Sequence, residues 1–153
     1  MDLPLAIDEG IDTAAKIAKR YGFAPRQAEY YIEATEILGL IRRQGKKLEL
    51  SSDGRKYLNL DVPQRKIALI RRILTLPVVS YSIAELIANA SYSMSKGEMR
   101  LMVTEVTGIS GSTIGRRSHT IMAWLKWVGD ETGVFEVKSG AVKLLVNPKP
   151  SPI

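Results

Sequence analysis

The residues from Ser110 to Val128 hold the only histidine of the chain and a run of hydroxyl and guanidinium groups, with no carboxylate among them. Ser110, Ser112, Thr113, Arg116, Arg117, His119 and Thr120 are therefore a set rich in donors and free of negative charge. Chemistry of that kind binds anions. An arginine fork matches two phosphate oxygens, or the O6/N7 edge of guanine, and short hydroxyls add donors beside it. Metal and acid–base chemistry have little to work with. The chain has one histidine and no cysteine, so a conventional zinc site or a disulfide is not expected. His119 lacks partner ligands and reads as a polar surface or phosphate-contacting group.

These residues need a helix to position them. Ile114, Ile121, Leu125 and Val128 recur at helical spacing and form an inward stripe. Arg116, Thr120, Ala123 and Trp127 fall opposite, with Thr113 and Arg117 at the flank. Arg116 thus points away from the core, and Arg117 borders it. Ser110, Ser112 and Thr113 are expected to cap this helix, a role compatible with offering amides to a phosphate. Trp124 reads as core, and Trp127 as packing on a hairpin or a partner.

The flanks supply a frame. Ser95-Lys96-Gly97-Glu98 fits a capping box and opens a helix to about Thr107, with Met99, Met102, Val103 and Val106 inward. Gly108-Ile109-Ser110 is a short turn. Beyond Gly129, the alternating runs Gly133–Lys138 and Ala141–Val146 around Ser139-Gly140 predict a hairpin. Upstream, Gln64–Leu76 reads as an amphipathic helix with Ile67, Ile70 and Leu74 on one side, ended by Pro77. A short helix over Ile83–Ala90 and a polar loop to Ser95 follow.

The first sixty residues repeat the order without repeating the sequence. A helix over Ile11–Tyr21, capped by Asp12 or Thr13, stops at Gly22. A second runs from Pro25 to Leu38, with Ala28, Tyr31, Thr35 and Leu38 inward and Tyr30 and Ile37 exposed. Leu40–Arg43 and Lys47–Leu50 flank Gln44-Gly45-Lys46 as a hairpin, and Ser51–Gly54 starts a short helix to Leu58. Helix, turn, helix, two-stranded wing and closing helix is the order of a winged helix. Here only Arg26, Gln27 and Tyr30 suit a DNA-facing helix, because Glu29, Glu33 and Glu36 would repel phosphate. The basic hairpin residues Arg42, Arg43, Lys46 and Lys47 suit either a phosphate grip or a merely solvated wing.

Composition narrows the class. A hydrophobic fraction of 45% and a charged fraction of 25% are those of a globular chain, and no apolar run approaches a membrane span. No membrane partner or signal peptide is expected, and the cytoplasm or nucleoid is the default compartment. Net charge is +6, and it is uneven. Residues 1–60 hold ten Lys/Arg against nine Asp/Glu, whereas residues 61–153 hold twelve against seven. The second half carries the pull on a polyanion.

Gly10–Ala18, Arg26–Tyr31 and Leu38–Ile41, together with Ser112-Thr113-Ile114-Gly115-Arg116-Arg117-Ser118-His119-Thr120-Ile121 and Trp124-Leu125-Lys126-Trp127, resemble a tandem winged-helix module. That module occurs in bacterial and archaeal restriction endonucleases and related defence proteins. The resemblance covers about Leu5 to Val146. It implies DNA target recognition rather than cleavage, a nuclease domain or subunit as partner, and Ser112, Thr113, Arg116 and Arg117 as DNA contacts.

The expectation is therefore a mainly α, α+β chain with two tandem winged helices, at 3–60 and 64–146, and a flexible tail at 147–153. It would bind double-stranded DNA without a cofactor, chiefly through the second unit. Two rivals stand beside it. One is a winged-helix protein-interaction module, favoured by the charge-poor first unit. The other is a small metal-dependent nuclease, because Asp130 and Glu136-Val137-Lys138 echo a two-acid, one-lysine Mg²⁺ site. The hairpin already accounts for that Glu-x-Lys, and no catalytic constellation is expected.

Overall fold

The computed structural model describes residues 2–89 and 91–145, so the expected tail lies outside the described residues. The protein is mostly helical with two small antiparallel sheets, an α+β chain, and it divides into two compact units between Arg72 and Ile73. That division falls after the punctuation at Asp61–Pro63. Arg65 and Arg72, on a helix that starts at Val62, tie its first three turns to the first unit.

The first unit begins with a helix that periodicity does not announce, α1 (Leu3–Asp8). Asp2 caps it, and Leu3, Ala6 and Ile7 are buried. Next come α2 (Ala14–Tyr21), capped by Thr13, and α3 (Pro25–Ile37). The inward face of α3 is Ala28 and Ile32, four residues apart, and not the expected line through Tyr31. Tyr31 turns outward to stack on Phe23, which in turn stacks on Tyr21. Tyr30 and Ile37, expected outside, are half-buried.

Strands β1 (Ile41–Gln44) and β2 (Lys47–Leu50) pair in register Ile41↔Leu50 to Gln44↔Lys47. Their buried residues, Ile41, Leu48 and Leu50, join Ile17, Ile32, Leu40 and Tyr57 in one core. Helix α4 (Ser52–Leu58), capped by Ser51, closes the unit. Buried Gly54 sits where a Cβ would lie 2.0 Å from the Leu40 carbonyl oxygen, so no side chain fits.

Helix α5 (Val62–Thr75) packs through Ala68 and Leu69, leaving Ile67 half exposed where an inward stripe was expected. The Arg65 guanidinium explains this orientation. It donates to the Leu58 and Leu60 carbonyls, pairs with Asp2 at 3.2 Å and lies over the Tyr57 ring. Arg72 donates to the Leu38 carbonyl and pairs with Asp53 at 2.8 Å. That pairing holds the Asp53 carboxyl below its ordinary range.

In the second unit Pro77 starts a helix instead of only ending one. Helix α6 (Pro77–Ala88) has proline in its first turn, where the missing N–H costs nothing. Buried Ser82 donates to the Val78 carbonyl at 2.7 Å. The expected polar loop contains a strand, β3 (Ser93–Ser95), followed by α7 (Lys96–Thr107) and α8 (Ser112–Thr132). Strands β4 (Phe135–Lys138) and β5 (Ala141–Leu144) complete a three-stranded sheet in the order β3-β5-β4. Sequence order here is helix, strand, two helices and two strands. Val79, Leu86, Met99, Val103, Ile121, Leu125 and Val142 are fully buried.

Helix α8 does not stop at Gly129. That glycine is buried, and a Cβ on it would meet the Phe135 carbonyl oxygen at 2.2 Å. Its role is close packing of helix on strand. The stop is Gly133, in the left-handed region at φ 70°. Among the described residues, no single helix is long and apolar enough to cross a membrane.

Candidate nucleic-acid interface

Two helices of the second unit build the candidate face. At the start of α7, the Ser95 hydroxyl accepts from the Glu98 amide, and the Glu98 carboxylate accepts from the Ser95 amide at 2.7 Å. These bonds hold the Glu98 carboxyl below its usual range, the backbone bond contributing most. The reciprocal cap fixes where α7 begins, and so where Lys96 and Arg100, one turn apart, emerge.

The start of α8 differs from expectation. None of Ser110, Ser112 or Thr113 caps it. The cap is Gly111, at φ 71° and ψ −149°, backbone that a side chain rarely tolerates, and it offers no side-chain bond to the first turn. Ser112 and Thr113 are instead the first two helical residues, and Ser110 is exposed in the turn before them. The Ile114 amide bonds the Gly111 carbonyl at 3.3 Å, and the Ser112 and Thr113 amides ahead of it have no capping side chain.

Along α8, Ile121, Leu125 and Val128 are buried as expected, joined by Met122 and Ser118. The Ser118 hydroxyl is occupied by the Gly115 carbonyl at 3.1 Å. Arg116 and His119 are exposed, and Arg117 and Thr120 half-buried. Thr120 donates its hydroxyl proton to the Arg116 carbonyl, so toward a ligand it has only acceptor capacity left.

Gly115 lies close to the Arg100 guanidinium, which would be 3.5 Å from a Cβ there. One turn on, His119 lines a groove of about 280 Å³ with Lys96, Met122, Ala123, Lys126, Val137 and Gly140. The helical steps 96→100 on α7 and 119→115 on α8 therefore run side by side. Lys96, Arg100, Arg116, His119 and Lys126 belong to this side of the unit. Sequence periodicity selected Arg116 and His119 but missed Lys96, Arg100 and Lys126. Lys126 was hidden by its distance from the first two turns; it pairs with Asp130 at 2.7 Å, with both side chains exposed. Lys96 and Arg100 lie on another helix, and their i, i+4 spacing was the available signal.

The other side of α7 is electrically opposite. A groove of about 200 Å³ there is lined by Glu85, Glu98 and Glu105 together with Leu101 and Met102. Three carboxylates at that groove would repel phosphate.

The first unit distributes its cations differently. Arg43 donates to Glu29 at 2.7 Å and to Glu36 at 2.9 Å, and these bonds raise its pKa above the ordinary arginine value. Arg42 pairs with Glu49 across the hairpin at 3.0 Å. Lys47 approaches Asp12 at 4.0 Å. Asp12 is also gripped by Lys16 at 2.7 Å, the main reason its carboxyl is depressed. Lys46 is exposed at the turn and, among the described residues, has no ion pair. On α3, Arg26 bonds the Tyr30 hydroxyl and lies over its ring, and Gln27 is exposed. Like α8, α3 starts without a side-chain cap, at Ala24.

Asp130 and Glu136, the acids of the nuclease alternative, lie on α8 and β4, and the latter sits opposite Lys143 in the hairpin register. Among the described residues, no group of three His, Cys, Asp or Glu side chains could hold a metal ion.

Residues 3–132 match the family model described as Domain of unknown function (DUF7226). No curated protein and no solved structure matches the chain.

Proposed function

The chain belongs to that family of unknown function, DUF7226, and we propose that it binds double-stranded DNA through the second unit. The observation that carries this reading is the exposed face of α8 before Asp130, which holds no acid and lies beside Lys96 and Arg100, with Glu85, Glu98 and Glu105 gathered on the other side of α7. In this reading both units are winged helices in tandem. The first two turns of α8 enter the major groove, Arg116 reads a base edge, and the uncapped amides of Ser112 and Thr113 meet a phosphate. Lys96, Arg100 and Lys126 hold the flanking backbone. With the resemblance noted from the sequence, the role that fits is target recognition for a restriction or defence nuclease.

The test is a mobility shift on random duplex DNA over a series of salt concentrations. Binding whose logarithm falls with the logarithm of salt, with a slope of roughly −3 to −5, supports the reading. No shift at low salt rejects it.

A second reading applies to the first unit. Its hairpin arginines are taken up by carboxylates of the same unit, and the Tyr21–Phe23–Tyr31 ring stack ends in an exposed tyrosine. Those features favour contact with a protein over contact with phosphate. A defined partner retained by residues 1–72 at high salt supports it.

A further inference from the structure

We propose that the groove between α8 and the β4–β5 hairpin seats one deoxyribose-phosphate of a bound strand, and that its carbon floor selects DNA over RNA. This rests on the DNA-binding reading above. The floor is Met122, Ala123 and Val137, with Gly140 at the hairpin turn, and the rim is Lys96, His119 and Lys126. An apolar floor rimmed by two lysines and an imidazole fits an anion carried on a hydrocarbon body. A sugar-phosphate is such a body, and about 280 Å³ accommodates one.

Continuity favours a strand over a free anionic amphiphile. His119 and Ala123 follow Gly115 at successive turns on one side of α8, so the groove prolongs the face that carries Arg116 and adjoins Arg100. A strand held by the first turns of α8 passes next over this floor. Lys126 shares its charge with Asp130, but an ion pair that exposed is weak enough for a phosphate to compete.

The floor offers carbon and no hydrogen-bond partner. Deoxyribose has only hydrogens at C2′, so it loses nothing there. A ribose hydroxyl pressed onto Ala123 or Val137 gives up water without replacement. The 2′-hydroxyl is the atom by which a protein tells the two nucleic acids apart, and here it is excluded rather than read.

The experiment compares the wild type with Ala123→Ser and Val137→Thr. Affinities are measured by fluorescence anisotropy for a DNA duplex of about 20 base pairs and for the same duplex carrying scattered single ribonucleotides, at equal low salt. Each variant adds a hydroxyl to the floor. The preference for DNA should narrow by about fivefold in at least one variant. Lys96→Ala should weaken both complexes and leave the ratio in place. Ala123 is exposed on a helix, so its serine variant keeps the experiment valid if the strand variant misfolds. A ratio unmoved in every folded variant, with DNA still bound, overturns the inference and spares the DNA reading. No DNA binding removes both. Decanoate that occupies the groove while the ratio stays fixed reassigns it to small anionic amphiphiles and also overturns the proposal.

Discussion

Each unit sets a helix with an uncapped N-terminus ahead of a two-stranded hairpin, and in each a glycine lets a helix touch a strand-side carbonyl. Their cations end in different places. In the first unit Arg43 reaches back to Glu29 and Glu36 on α3, Arg42 crosses to Glu49, and Lys47 leans toward Asp12. In the second, the exposed turns of α8 before Asp130 hold no acid, and α7 turns its own carboxylates to the far side. Similar elements thus yield one face whose arginines pair with carboxylates of the same unit and one whose leading turns carry no acid. What separates the two is where the glutamates fall, not the backbone order.

The strongest way to break the comparison is through the glycines. Gly129→Ala forces a Cβ into the Phe135 carbonyl and should cost the second unit about 1–3 kcal/mol, and DNA binding with it. Gly54→Ala should cost the first unit a similar amount and leave more of the binding intact. Calorimetry with a binding assay on each variant decides this. Equal loss of binding in both would end the division of labour.

Next in size is Arg116→Ala, expected to weaken binding about tenfold and relax preference at one base pair. Selection from randomised duplexes reads both effects. An unchanged affinity removes α8 from the interface.

Acid comes third. The carboxyls of Glu98, Asp12 and Asp53 are all depressed by their partners. A depressed group stabilises the fold above its unfolded pKa, about 4 for these carboxyls, and that contribution is lost as pH falls through the lower folded value. Both units should therefore soften below about pH 4. Glu98→Gln, which removes the titrating carboxyl and keeps an oxygen for the Ser95 amide, should flatten the acid response of the second unit alone. Melting curves against pH separate the two.

The smallest effects belong to the first hairpin. Arg43→Gln should cost well under 1 kcal/mol, because the pairs are partly exposed, and shift DNA affinity less than twofold. Lys46→Ala should at most reduce the salt slope by about one. A large loss of binding from either would make the first unit a reader too.

Local chemistry was legible in the sequence wherever a few adjacent residues decide the outcome. The Ser95–Glu98 box, the glycine stops at Gly22 and Gly108, and both hairpin turns involve only near neighbours. What escaped depends on distant partners. Strand β3 exists because β5, some fifty residues on, pairs with it. Tyr31 faces out because Phe23 offers a ring, and Arg65 rather than Ile67 sets the angle of α5. A glycine in close contact and a glycine in a helix stop look identical in a sequence; at Gly129 only the Phe135 carbonyl separates them. At the candidate site, Arg116 was found because it shares a helix with its neighbours. Lys96 and Arg100 were not, because the face they join is made by packing.

The sheet order of the second unit bears on how that unit is made. Its central strand, β5, is the last of the three to leave the ribosome. A nascent chain that has completed α8 and β4 still has β3 and β4 with no strand to bind, because each pairs only with β5. Folding during synthesis proceeds from the N-terminal side, so the first unit can close while the second holds two bare edges. For that interval the two strands lack a ladder partner and are open to the wrong one, until four residues, Ala141 to Leu144, fill the place between them.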